Sequence, residues 1–276
     1  MYLVTGANGG IGTEITRKLL QQDKSVLMAC RNLTKAMPIF EQLKSEFPSA
    51  ELQLWQLDLG NLTSIETFAA KAKTENLKIE ALINNAGVMS KHYTETTDGF
   101  EMTMGVNFLG VYTFTRKMIP FLAEGACVLN TVSVTTTLGS VKENFLAKGA
   151  KNYFRLARYS DSKLVLLLFT IELEKRLCEK NIRVCGIDPG VVNTGMISMQ
   201  RWFDPITDIV FRPFIKRPED AAEVTMRALK SSLSGRIFRG TKNVPFPRYA
   251  KNHKMIEKIW GISENTLMQK NITFAD

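Results

Sequence analysis

Short apolar runs alternate along the chain with stretches whose apolar residues recur at helical spacing. The runs 2–4, 25–29, 52–57, 79–83, 126–132, 182–187 and 236–238 predict seven strands. The spacing between them predicts helices over 11–20, 36–47, 62–72, 107–122, 159–179 and 218–229. The strands are apolar on successive residues, as expected when both faces of a sheet are covered. Strand and helix alternate throughout, and right-handed crossovers then give an α/β, doubly wound, seven-stranded parallel sheet with helices on both faces. No repeat, linker or low-complexity segment divides residues 1–276, so a single domain is expected. Segments 134–158 and 191–217 break the rhythm. Each follows the C-terminal end of a strand, where open α/β sheets bind their ligands, so both are assigned to a substrate pocket.

The first strand runs into Thr5-Gly6-Ala7-Asn8-Gly9-Gly10-Ile11-Gly12, which opens the first helix. Such a turn lets the backbone approach a phosphate closely, and the helix N-terminus offers free N–H groups to it. The context of strand, turn and helix favours phosphate binding over a plain turn. The second strand ends Ala29-Cys30-Arg31-Asn32, with no acid before Glu41. An acid there would bind a ribose 2′-hydroxyl, whereas an arginine accommodates a 2′-phosphate. NADP(H) is therefore expected in preference to NAD(H).

Composition narrows the chemistry. The 276 residues include only two histidines, His92 and His253, which exclude a His-rich metal site. His92 reads as a surface or pocket-rim residue. The four cysteines show no metal-ligand spacing and read as structural thiols of a reducing compartment. No signal peptide and no membrane-spanning run is present, since the longest apolar run is 164–171. A cytoplasmic protein is expected. The net charge of +9 is uneven: residues 1–138 are close to neutral and residues 139–276 carry the excess. Segment 236–258 holds seven Lys/Arg against Glu257 alone. It reads as a solvated basic face or as an attractor of an anionic cofactor or surface, and no nucleic-acid motif accompanies it.

Tyr159 and Lys163 lie four apart in a predicted helix and share one of its faces. A nearby ammonium stabilises a phenolate, so Tyr159 is a candidate general acid/base. Alone, a Tyr and a Lys at this spacing are uninformative. Here they join Ser133 at the end of the fifth strand, Asn107 at the start of a helix, Asn84-Asn85-Ala86-Gly87 ending the fourth strand, and Pro189-Gly190 ending the sixth.

Taken in order, T-G-A-N-G-G-I-G, Asp58-Leu59, N-N-A-G, Asn107, Ser133, Y-x-x-x-K and P-G resemble the short-chain dehydrogenases/reductases over almost the whole chain. The A-C-R-N strand end, the Ser133–Tyr159 interval and the stretch 259–264 are similar to the retinol dehydrogenase-like and carbonyl reductase-like branch. The resemblance implies a Rossmann fold and an NADP-dependent enzyme acting on a carbonyl or alcohol. It implies that Tyr159 moves the proton, that Lys163 lowers the Tyr159 pKa and holds the nicotinamide ribose, that Ser133 binds the substrate oxygen, and that Asn107 positions Lys163 through a water. For the cofactor it implies Gly6, Asn8, Gly10, Ile11 and Gly12 at the pyrophosphate and Arg31 and Asn32 at the 2′ position. It further implies Asp58 and Leu59 at the adenine, Asn84, Ala86 and Gly87 along the adenosine side, and Pro189, Gly190, Val192 and Thr194 beside the nicotinamide.

The resemblance departs at Asn130-Thr131-Val132-Ser133, where the family usually has two adjacent serines, and at Asp161, where a small residue is usual. Membrane-bound relatives carry an anchor ahead of the first strand; this sequence starts almost on that strand, so no anchor is expected. The apolar residues of 195–217 read either as a lid over an apolar substrate or as a packing layer. Helix residues 164–169 are apolar nearly all round, which suggests core on one face and a homodimer contact on the other. Two competing readings remain: a nucleotide-sensing regulator on the same fold, and a basic nucleic-acid or membrane-surface binder.

Overall fold

The computed structural model describes residues 1–147, 153–190 and 217–274. Eight strands form one sheet in the order β3-β2-β1-β4-β5-β6-β7-β8. They are β1 (Tyr2–Thr5), β2 (Val26–Cys30), β3 (Leu52–Gln56), β4 (Ile79–Asn84), β5 (Leu122–Thr131), β6 (Arg183–Asp188), β7 (Arg236–Arg239) and β8 (Lys242–Pro245). The first seven run parallel and β8 is antiparallel to β7. The sheet is thus one strand larger than the seven expected. All four residues of β8 are exposed, so it lacks the apolar run that marks a covered strand.

Within the central strands, adjacent residues serve opposite faces, as strand geometry requires. Leu3, Leu27, Leu82 and Val128 enter one core cluster, and their neighbours Val4, Met28, Ile83 and Leu129 enter the other. The second cluster is completed by α1 (Gly10–Leu20), α2 (Leu33–Glu46) and the late helix α7 (Pro218–Lys230). The first is completed by α3 (Leu62–Thr74), α5 (Val111–Met118) and α6 (Arg155–Leu177). The short helix α4 (Met102–Met104) leads into a π-helical turn, Gly105–Gly110, before α5, so the helix predicted over 107–122 starts earlier and ends sooner.

Leu164 to Phe169 are all buried, with no residue above 3% exposure. One side faces the sheet. Against α6 lie α8 (Arg248–Lys251) and α9 (Ile256–Met268), two helices the sequence pattern left unassigned. Trp260 of α9 packs against Phe169 and Tyr112, at centroid separations of 5.9 and 5.3 Å. Arg116 and Arg176 lie over the same indole at 4.5 and 4.0 Å. The face read as a homodimer contact is therefore filled by the chain's own C-terminal helix.

A buried amide network ties the middle of the sheet to its helices. Asn84 and Asn130 are opposite each other in the β4–β5 register. Asn84 Nδ2 donates to Asn130 Oδ1 at 2.7 Å and to Thr115 Oγ1 at 2.9 Å, and Asn130 Nδ2 donates to Thr170 Oγ1 at 2.9 Å. Both asparagines are fully buried, so deleting Asn130 strands a donor of Asn84 and deleting Asn84 strands the acceptor of Asn130. Asn130→Ala is expected to lower unfolding free energy by roughly 2–3 kcal/mol, read from urea denaturation.

Candidate active site

The Gly-rich turn lies between the ends of β1 and β4. Gly6 has φ +63°, a left-handed conformation that L side chains rarely adopt, and a Cβ there would sit 3.0 Å from Ala86 Cα. At Gly12 a Cβ would fall 2.2 Å from the Gly6 carbonyl oxygen, so the first helical turn can follow the loop only without a side chain. Thr5 joins the two strand ends: its Oγ1 accepts from the N–H groups of Asn85 and Ala86, both at 3.0 Å. Asn85 Nδ2 donates back to the Thr5 and Gly6 carbonyls.

These elements enclose a cleft of about 420 Å³. Its lining contains Gly6, Asn8, Gly10, Ile11, Gly12, Arg31, Asn32, Asp58, Leu59, Ala86 and Gly87, all expected from the sequence. The α1 N-terminus has no side-chain cap, which leaves its N–H groups facing the turn. Asn32 caps α2 by accepting from the Lys35 N–H at 2.9 Å, and this turns Lys35 toward the cleft beside Arg31. Lys35 was not anticipated; its place three residues past an N-cap asparagine is the signal that could have revealed it. A glycine-rich turn, a helix N-terminus without a side-chain cap and two cations after β2 suit a dinucleotide.

Asn84 does not line this cleft. Its side chain points into the sheet interior to serve the amide network above, because the residue is the last of a fully covered strand. Asn85 occupies the position expected of it. Val192, Thr194 and residues 191–216 of the expected lid lie outside the described residues, as do 148–152 of the other pocket segment. Pro189 and Gly190 follow directly on β6.

Ser133, Tyr159 and Lys163 come together at the ends of β5 and α6. The Ser133 hydroxyl lies near enough to the Tyr159 phenol to favour its ionised form. It also accepts from the N–H and Oγ1 of Thr135 at 3.2 and 3.1 Å, which fixes its direction. Lys163 Nζ lies 5.7 Å from the centre of the Tyr159 ring and donates to the Thr131 carbonyl at 2.7 Å. Gly87 connects this cluster with the cleft: a Cβ there would meet Asn107 Oδ1 at 3.4 Å and Lys163 Nζ at 3.5 Å.

Asn107 sits in the π-helical turn, fully buried. Its Oδ1 accepts from the Val88 N–H at 2.7 Å, and its Nδ2 donates to the Val88 carbonyl at 2.8 Å and to Ser162 Oγ at 3.1 Å. It thus pins the loop after β4 against α6. Asp161, the unusual residue between Tyr159 and Lys163, turns away and accepts from the Ser140 N–H at 2.8 Å.

Burial dominates the electrostatics. It pushes the Tyr159 phenol up to about 12, partly offset by the Ser133 hydroxyl and reinforced by the charge of Asp188. It pushes the Lys163 ammonium down to about 8, against the pull of Asp188. Burial is the largest influence on Tyr159, while the Lys163 ammonium donates to the Thr131 carbonyl.

A family model described as short chain dehydrogenase matches residues 1–202. The chain is 34% identical over 269 residues to retinol dehydrogenase 12 of Mus musculus, covering 95% of this chain and 84% of that protein. It is 33% identical over 273 residues to retinol dehydrogenase 13 of Homo sapiens, covering 95% and 82%. Among solved structures, an uncharacterized protein from Mycobacterium paratuberculosis superposes with a TM-score of 0.78 at 28% identity, over 100% of this chain and 94% of that one. A short chain dehydrogenase from Burkholderia cenocepacia in complex with NADP gives a TM-score of 0.66 at 19% identity, covering 84% and 90%.

A buried ammonium opposes folding. The unfolded Lys163 holds its proton up to its ordinary value of 10.5, whereas the folded one releases it near 8. The penalty is therefore complete below pH 8 and fades between 8 and 10.5. Lys163→Met is expected to stabilise the fold by roughly 1–3 kcal/mol at pH 7, with the gain shrinking above pH 8. Thermal melts across that range measure it.

Proposed function

This chain belongs to the short-chain dehydrogenases/reductases, an oxidoreductase family, and we propose that it transfers a hydride between NADP(H) and a carbonyl or alcohol substrate, with Tyr159 as general acid/base. The observation that carries the reading is Lys163 Nζ 5.7 Å from the Tyr159 ring centre, one glycine away from a cleft lined by the Gly-rich turn.

Each side chain has a task in that reading. The turn Gly6–Gly12 and the α1 N-terminus hold the pyrophosphate, Arg31 and Lys35 the 2′-phosphate, and Asp58 and Leu59 the adenine side. Ser133 donates to the substrate oxygen, where negative charge develops during reduction. A phenol raised to about 12 keeps its proton at neutral pH, so Tyr159 stands ready as the acid of carbonyl reduction. Lys163 supplies positive charge behind the phenol as that proton leaves. Asn107 holds the loop that separates cleft from cluster. Val192 and Thr194 are assigned to the nicotinamide by resemblance. The relatives are named for retinol, and the proposed substrate is likewise an apolar alcohol or its carbonyl partner.

Among the described residues no helix is long and apolar enough to cross a membrane, and no cluster of metal-ligating side chains occurs.

Following nicotinamide absorbance across a panel of ketones, aldehydes and alcohols tests the activity. With the best carbonyl, Tyr159→Phe is expected to lower kcat by at least about a thousandfold while NADPH still binds, as read by cofactor fluorescence. Full turnover in that variant would remove Tyr159 from the mechanism. Arg31→Asp is expected to weaken NADPH by about 10–100-fold and NADH by less than about threefold, since only the former carries the 2′-phosphate.

A further inference from the structure

Asp188 is the last residue of β6 and is 1% exposed. A carboxylate withdrawn from water needs both a counter-charge and hydrogen bonds. Arg239 supplies the charge from the facing position of the β6–β7 register, with its Nε 2.6 Å from Asp188 Oδ2. The Gly190 N–H donates to Oδ1 at 3.0 Å. The arginine side chain is half exposed, so water screens the partner more than it screens the acid.

β6 lies beside β5, and the Val132 N–H donates to the Ile187 carbonyl at 2.8 Å. That contact sets Asp188 next to the strand end carrying Ser133 and the carbonyl that receives Lys163. Among the described residues, Asp188 is the charged group that bears on both Tyr159 and Lys163. Among the described residues the other surroundings are neutral or paired, and Arg158 also meets Glu101 at 3.5 Å. The β4 loop and the π-helical turn present Gly87 and Asn107, and β5 presents Thr131 and Ser133. On α6, Arg158 and Asp161 face each other at 3.7 Å.

We infer that Asp188, clamped by Arg239, is a positioning residue of the reaction, and that this strand-end ion pair keeps the proton on Tyr159 and Lys163 while a carbonyl is reduced. The inference rests on the oxidoreductase reading above. Asp188 touches neither group; it acts through the low-dielectric interior. A negative charge there disfavours phenolate and favours ammonium, so both groups hold their protons to higher pH. Arg239 opposes the same field.

Two variants therefore move the site in opposite directions. Protein labelled with 13C-lysine, its Lys163 resonance assigned by loss in Lys163→Arg, reports the titration without turnover. Asp188→Asn is expected to move that titration down by about 0.5–1 pH unit, and Arg239→Gln to move it up by a smaller amount. The alkaline limb of kcat for NADPH-dependent reduction is expected to shift the same way in each. An unmoved Lys163 titration in both variants, or a shift of the same sign in both, overturns the proposal even if activity falls, since a merely structural pair lowers rate or stability at every pH. Should Asp188→Asn fail to fold, the sign of the shift in Arg239→Gln decides alone. If the wild type reduces no carbonyl, the functional reading fails while the resonance still decides the coupling.

Discussion

A lysine ammonium taken out of water is the constraint around which this molecule is organised. Lys163 is 2% exposed in the middle of the longest helix, with apolar residues following it for two turns. Such a charge is tolerated only where fixed dipoles and charges face it. The Thr131 carbonyl meets it directly, Gly87 lets the β4 loop come close, and the Asp188 carboxylate acts from the next strand. The ends of β4, β5 and β6 therefore gather along one side of this helix. A parallel sheet does this naturally, since all its C-terminal strand ends lie along one edge.

The covered sheet in turn carries interior polar groups that bond to one another across strands and helices. Asn84 and Asn130 would be liabilities in a purely apolar core, yet they join β4 and β5 to α5 and α6 directly beneath the strand ends that carry the site. Asn107 does similar work one layer higher, where both its amide groups bind the Val88 backbone. These contacts lock loops to helices, so the positions of Ser133, Tyr159 and Lys163 follow from packing.

Charge is distributed with the same economy. The net +9 is carried by the back half of the chain, and the glycine-lined cleft in the front half uses Arg31 and Lys35 where a phosphate would lie. Among the described parts of the basic segment 236–258, Arg239 has a definite partner in buried Asp188, and Lys258 pairs with Glu143. The surplus is thus not one uniform surface: at least one of its members pairs with a buried carboxylate.

Alternating apolar periods determined the layered α/β fold, and the order of short motifs determined the family. Both are local signals: a strand covered on two faces is apolar at every position, and a turn at a phosphate site needs glycine at set positions. Four matters were decided only by tertiary structure. β8 pairs through backbone alone and leaves no hydrophobic trace. The outer face of α6 belongs to α9, because an apolar helix face does not declare its partner. Asn84 turned inward while Asn85 faced the cleft, since the strand end, not the motif, sets which way a side chain points. The setting of Tyr159 and buried Lys163 brings in Asp188, at the end of β6 and 25 residues from Lys163 along the chain. Electrostatic coupling depends on distance and dielectric in space, and neither is written in the spacing of residues.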